Sequence, residues 1–114
     1  MTFERYDVVV VPFPFTDRDA TKRRPALVLS VADAFNSPTG QLVLAMITTA
    51  TQSNWAHDVA LTDPSAAGLT ASSTVRWKLF TLDERLILRR VGRLSPEDTD
   101  RVDRAARTVL GLGS

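Results

Sequence analysis

Apolar and polar positions fall into a series of short β-type blocks followed by one helical block at the C-terminal end. Tyr6 to Phe13, YDVVVVPF, is β-branched and too short for a helix, so it predicts a strand that Pro12 and Pro14 break. The polar, turn-rich loop TDRDATK leads to a second strand, Pro25 to Val31, and Asp33 to Asn36 predict a short helical turn. Leu42 to Thr49, LVLAMITT, is apolar on both faces for most of its length, the pattern of a central or barrel strand. A second polar loop, ATQSNWA, precedes a short alternating strand at Asp58 to Leu61 and the turn TDPSAAGL. Further strands are predicted around Ser73 to Arg76, at Phe80 to Leu82 and at Leu86 to Val91.

Helical periodicity is confined to the last segment. Ser95 offers an N-cap hydroxyl, Pro96 suits the first helical position, Asp98 places a carboxylate at the third, and Gly111 or Gly113 can end the helix. Val102, Ala105, Ala106, Val109 and Leu110 recur at spacings of three and four, predicting one stripe that packs on the sheet. Strands first and a helix last predict a mainly β (α+β) fold: a small, strongly curved antiparallel sheet or barrel with a C-terminal helix. A chain of 114 residues forms one such domain, residues 1–114.

Composition narrows the class. Hydrophobic residues at 44% and charged residues at 24% match a soluble globular protein, and no apolar run approaches the ~18 residues of a membrane span. The absence of cysteine excludes a disulfide framework and a thiolate zinc site, and the opening MTFERYD has no signal-peptide core, so the expected location is the cytoplasm. Net charge is +1, but Arg76, Lys78, Arg85, Arg89, Arg90 and Arg93 crowd one stretch against Asp83 and Glu84. That stretch predicts either a basic face or a mixed, solvated surface.

The chain has one histidine, His57, no His-Glu zinc motif and no Gly-rich phosphate loop, so neither a metal site nor nucleotide-triphosphate chemistry is indicated. Its carboxylates form no persuasive catalytic pair; they read as local ion partners of low energetic value where exposed. Arginines and hydroxyls remain, and these suit holding and polarising a phosphodiester. In KRRPALVLS, Pro25 disfavours helical backbone at Arg24 and so presents this arginine extended at the mouth of a strand. The other reading of Arg24 is an ion pair with Asp17 or Asp19. Thr48 and Thr49 are adjacent in a strand and point to opposite faces, so one of them presents a hydroxyl to each side; threonine also simply suits strands.

The runs YDVVVVPFPFTD, KRRPALVLS and LAMITTATQS, continued by VRWKLFTLDERLI and VDRAARTVLGL, resemble the MazF/PemK family of toxins from type II toxin-antitoxin modules. The resemblance spans nearly the whole chain in order. It implies an SH3-like barrel with a C-terminal helix, a homodimer, a cognate antitoxin protein, and a metal-independent, sequence-specific endoribonuclease that cleaves single-stranded RNA, messenger RNA above all, without a cofactor. The catalytic positions it implies are Arg24 and Thr48, with Thr49 the alternative if the register is off by one. Candidate RNA contacts are Lys22, Arg23, Gln52, Ser53, Arg76 and Lys78, with Trp55 or Trp77 for base stacking and His57 as an auxiliary acid or base. Two departures stand out: the loop TDRDATKR lacks the glycines and Glu-Gln common in the family, and Trp77-Lys78 stands where many members have a Gln near the substrate. Two other functions share the fold, a gyrase-inhibiting toxin and a non-catalytic barrel that binds nucleic acid or peptide.

Overall fold

A computed structural model describes residues 2–12, 22–49 and 54–113. Among these residues six strands, β1 (Asp7–Pro12), β2 (Arg23–Val28), β3 (Gln41–Thr48), β4 (Val59–Ala60), β5 (Thr74–Asp83) and β6 (Arg89–Arg93), form one sheet. Their order is β4-β5-β3-β2-β1-β6 and every pairing is antiparallel. A π-helical turn at Ala32–Asn36 runs into the short α1 (Ser37–Thr39), and α2 (Pro96–Leu110) closes the chain. This is the curved, mainly β barrel with a C-terminal helix that the pattern predicts.

The central strands are buried on both faces, and strict alternation divides their side chains between two cores. Val8, Leu27, Ala45 and Ile47 join Val75, Trp77, Val102 and Ala106 beneath α2. Their neighbours Val9, Val11, Ala26, Val28, Leu42 and Leu44 point the other way and close with Phe3 and Phe80. The continuous apolar runs of β1 and β3 follow from this two-sided burial.

Several predicted boundaries move. The two short strands expected at 73–76 and 80–82 are one ten-residue strand, β5, because a bulge lets it change register without leaving the sheet. Leu79 faces Ala45 and Arg76 faces Met46, so Trp77 and Lys78 are the extra residues. Strand β6 begins at Arg89 rather than Leu86, since Glu84–Leu86 form a single tight helical turn. In α2 the stripe is shorter than predicted: Val102 and Ala106 are buried, but Val109 and Leu110 are 39% and 52% exposed. The final turn therefore lies at the surface.

Two buried carboxylates brace the fold, in contrast to the weak surface ion partners expected. Asp98 accepts the backbone N–H groups of Thr62 and Asp63 at 3.0 and 3.1 Å while its own N–H is capped by Ser95 Oγ, tying α2 to the loop after β4. Asp7 is fully buried and pairs with Arg93 at 2.8 Å and Arg90 at 3.6 Å. Arg85 pairs with Asp83 at 2.9 Å and Arg76 with Asp58 at 2.8 Å, so four arginines of the 76–93 stretch, Arg76, Arg85, Arg90 and Arg93, have carboxylate partners. The same loop packs flat on β6: a Cβ at Gly92 would lie 2.4 Å from the Ala67 carbonyl carbon, and one at Gly68 would lie 2.0 Å from the Val91 oxygen. No helix among the described residues is long and apolar enough to cross a membrane.

Candidate functional site

Sequence parity decides which side chains can meet. Along β2, Arg24 shares its face with Ala26 and Val28; along β3, Thr48 shares its face with Leu42, Leu44 and Met46. All these apolar neighbours that are buried belong to the same core, so Arg24 and Thr48 emerge on one side of the sheet. The β2–β3 pairing runs Ala26 to Met46 and Leu27 to Ala45, and carrying it two residues toward the strand ends sets Arg24 opposite Thr48. Both line a cleft of about 380 Å³ with Arg23, Pro25, Met46, Ile47 and Thr49. Pro25 pairs with Val10 of β1, a position that fixes the extended backbone at the cleft mouth.

The face continues across β5. Thr48 is paired with Thr74 and Met46 with Arg76, which puts Arg76 diagonally beyond Thr48, about 7–8 Å away by sheet geometry. Arg76 is only 5% exposed. Its Nε and NH2 donate to the two oxygens of Asp58 at 3.2 and 2.8 Å, and its guanidinium lies 5.5 Å from the centre of the Trp55 ring. Burial pushes the Asp58 carboxyl up, but the hydrogen bond from Arg76, the Trp55 amide and the Arg76 charge hold it below the usual carboxylate range. The bond to Asp58 raises the Arg76 pKa in turn, against burial.

The turn that carries these groups is itself pinned. Asp58 Oδ2 accepts the Trp55 backbone N–H at 3.0 Å, and Trp77 Nε1 donates to the His57 carbonyl oxygen at 2.7 Å. His57 has φ +66°, a left-handed conformation uncommon outside glycine, and its imidazole is exposed.

A model of the PemK-like, MazF-like toxins of type II toxin-antitoxin systems matches residues 4–110. The chain belongs to that family. Solved structures similar to this toxin include the MazE–MazF complex (form II) of Deinococcus radiodurans, 23% identical with a TM-score of 0.74, covering 100% of this chain and 99% of that one. An endoribonuclease in complex with its cognate antitoxin from a mycobacterial species is 22% identical with a TM-score of 0.74, covering 97% of each chain. The Mycobacterium tuberculosis toxin MazF-mt6 is 20% identical with a TM-score of 0.70, covering 92% of this chain and 96% of that one. At these identities the likeness is one of fold. The search of curated proteins gives no match.

In this MazF-like toxin, Arg24 and Thr48 come together, and Lys22 and Arg23 lie exposed at the same strand mouth. Lys78 is half-buried in the β5 bulge. Arg76, a candidate phosphate contact, is buried and pairs with Asp58. Gln52, Ser53, Asp17 and Asp19 lie outside the described residues. Of the two tryptophans, Trp77 is a core residue and Trp55 is 44% exposed. Sequence reasoning missed Met46 as a cleft residue and Asp58 as the Arg76 partner; the alternating strand at 58–61 was legible, but not its pairing with β5. Among the described residues no group of three or more His, Asp or Glu side chains is placed to hold a metal ion.

Proposed function

We propose that this toxin is a metal-independent, sequence-specific endoribonuclease of single-stranded RNA, messenger RNA above all, with Arg24 and Thr48 at its centre. The observation that carries the reading is the shared cleft in which the two meet. In the proposed reaction the RNA's own 2'-oxygen forms a bond to the adjacent phosphorus as the bond to the 5'-oxygen breaks. The products are a cyclic phosphate and a 5'-hydroxyl; the 2'-hydroxyl gives up one proton to water and the leaving oxygen takes one back, so none is gained or lost overall. Negative charge grows on the non-bridging oxygens in the transition state. Arg24 presents a planar fork of N–H donors for them, and removing such a donor typically costs about 10²–10³ in rate. Thr48 Oγ holds the same phosphate or orients the 2'-oxygen. Arginine stays protonated in proteins and so acts here by charge rather than as a base.

Lys22 and Arg23, exposed beside the cleft, and Lys78 are the proposed contacts to flanking phosphates, with Gln52 and Ser53 assigned to RNA from sequence alone. The working form is a homodimer in the cytoplasm, and its partner is a cognate antitoxin protein whose acidic, disordered segment folds over the cationic cleft. That pairing is supported by the antitoxin complexes of the structural relatives.

The test is incubation of the purified protein with a long single-stranded RNA in EDTA, beside Arg24→Ala, with the fragment 5' ends mapped. Discrete cuts made in EDTA and lost in the variant support the reading. Intact RNA, or identical cutting by the variant, sinks it and turns attention to gyrase inhibition or simple binding.

A further inference from the structure

The turn at residues 55–58 is held far more firmly than an exposed turn needs to be. Asp58 grips Trp55 twice over, accepting its backbone N–H at 3.0 Å and fixing the guanidinium on which its ring rests. The Asp58 N–H returns a bond to the Trp55 carbonyl at 3.2 Å, and the buried Trp77 indole anchors the His57 carbonyl between them. The outcome is a large aromatic ring, 44% exposed, whose inner side is set against a buried cation. It stands on the side of the sheet that carries Met46, Thr48 and Arg24, one strand beyond the cleft.

A rigid aromatic surface next to a phosphate-binding cleft suits one ligand chemistry, the face of an unpaired nucleobase, because every base offers a π-face and stacking needs no particular hydrogen-bond pattern. We propose that Trp55 is a base-stacking platform, preorganised by the Asp58–Arg76 pair, that holds a nucleotide flanking the scissile phosphate. The inference rests on the nuclease reading above for the placement of that phosphate. Preorganisation matters because a tryptophan free to rotate would have to be ordered on binding, and each immobilised side chain of that kind costs about 0.5–1.5 kcal/mol. Arg76 thus acts on RNA through Trp55, as a positioning residue, instead of through a phosphate.

The protein contains two tryptophans, and only Trp55 is exposed, so quenching of fluorescence reports on it. The probe is a single-stranded RNA of mixed sequence with every 2'-hydroxyl replaced by fluorine, which binds but cannot undergo attack by a 2'-oxygen. Saturable quenching in the native protein, absent in Trp55→Leu, together with about 5- to 100-fold weaker binding by that variant, supports the platform. On cleavable RNA, Trp55→Leu should raise KM with kcat little changed, whereas Arg24→Ala should lower kcat. Asp58→Asn should weaken binding in the same direction while circular dichroism shows an intact fold. Equal binding by native protein and Trp55→Leu, with no quenching, overturns the proposal even if cleavage proceeds. Quenching and weakened variant binding without any cleavage of native RNA would uphold the platform while sinking the nuclease reading.

Discussion

Trp77 donates its indole N–H to the carbonyl oxygen of His57 across 2.7 Å, and this bond joins the floor of one core to the turn beside the candidate site. It assigns roles that the sequence left open. Trp77 is spent on packing, and the His57 backbone, rather than its imidazole, is what the fold uses. The left-handed φ of +66° is tolerated by Asn and Gly and is strained for β-branched residues. His57→Asn should keep both fold and RNA cleavage, while His57→Val should lose about 1–2 kcal/mol in urea unfolding. A large loss of cleavage in a well-folded His57→Asn would instead give the imidazole a chemical role.

Thr48 ends β3 on the face that carries Arg24, whereas Thr49, which also lines the cleft, lies just beyond the strand. Thr48→Ala should cut the rate of RNA cleavage at least about tenfold, since a hydroxyl is removed from the side of the sheet that carries Arg24 and, on the proposed reading, the phosphate. Thr49→Ala should have a much smaller effect on the rate. The reverse ranking would place the register one residue further along.

Tyr6 is the only tyrosine, buried, with its hydroxyl donating to Asp103 at 3.2 Å. Burial first, then the nearby Asp103 charge and hydrogen bond, push its pKa from 10.0 up to about 12, with Arg5 and Arg107 opposing. The folded state resists phenolate formation, so the stability this brings is fully present below the unfolded value near 10.0 and is lost as pH rises toward about 12. Ultraviolet titration of the tyrosinate should show one transition near the higher value in folded protein. Appearance of tyrosinate near 10.0 without unfolding would show Tyr6 to be solvated.

Asp98 accepts four hydrogen bonds from Thr62, Asp63 and Arg101 groups at 3.0–3.1 Å through Thr62 N, Thr62 Oγ1, Asp63 N and Arg101 NH1 while fully buried. Burial raises its pKa, but these bonds outweigh it and hold the carboxyl below 3.8. Its contribution is therefore present above the unfolded pKa and lost as pH falls through the folded one. Asp98→Ala should cost roughly 3 kcal/mol, seen as a lower urea midpoint, because it removes the acceptor of the Thr62 and Asp63 N–H groups that ties α2 to the 62–63 loop. Asp98→Asn should flatten the acid limb of a stability profile; an unchanged limb would mean that other carboxylates control acid unfolding.

Gly68 has φ +75° and a Cβ there would fall 2.0 Å from the Val91 carbonyl oxygen. Gly68→Ala should therefore lose about 2–4 kcal/mol, read by thermal or urea unfolding. A variant as stable as the native protein would mean that the 63–68 loop can lift from β6.

The sequence by itself determined the elements whose causes are local. The valine run of β1, the proline near the start of β2, the two-sided apolar run of β3 and the Ser95-Pro96 cap with its Gly111 stop are all set by neighbours a few residues away. It also placed Arg24 and Thr48 at strand ends and, through a run of motifs, pointed to the family that the chain proves to belong to. What only the tertiary structure decided is which residues meet across strands. The union of 74–83 into one bulged strand depends on pairing with β3, the exposure of Val109 and Leu110 depends on how far α2 has a surface to cover, and the Asp58–Arg76–Trp55 cluster depends on β4 lying beside β5. These contacts join segments far apart in the chain, and their register is fixed by packing and hydrogen bonds that no short window of sequence contains.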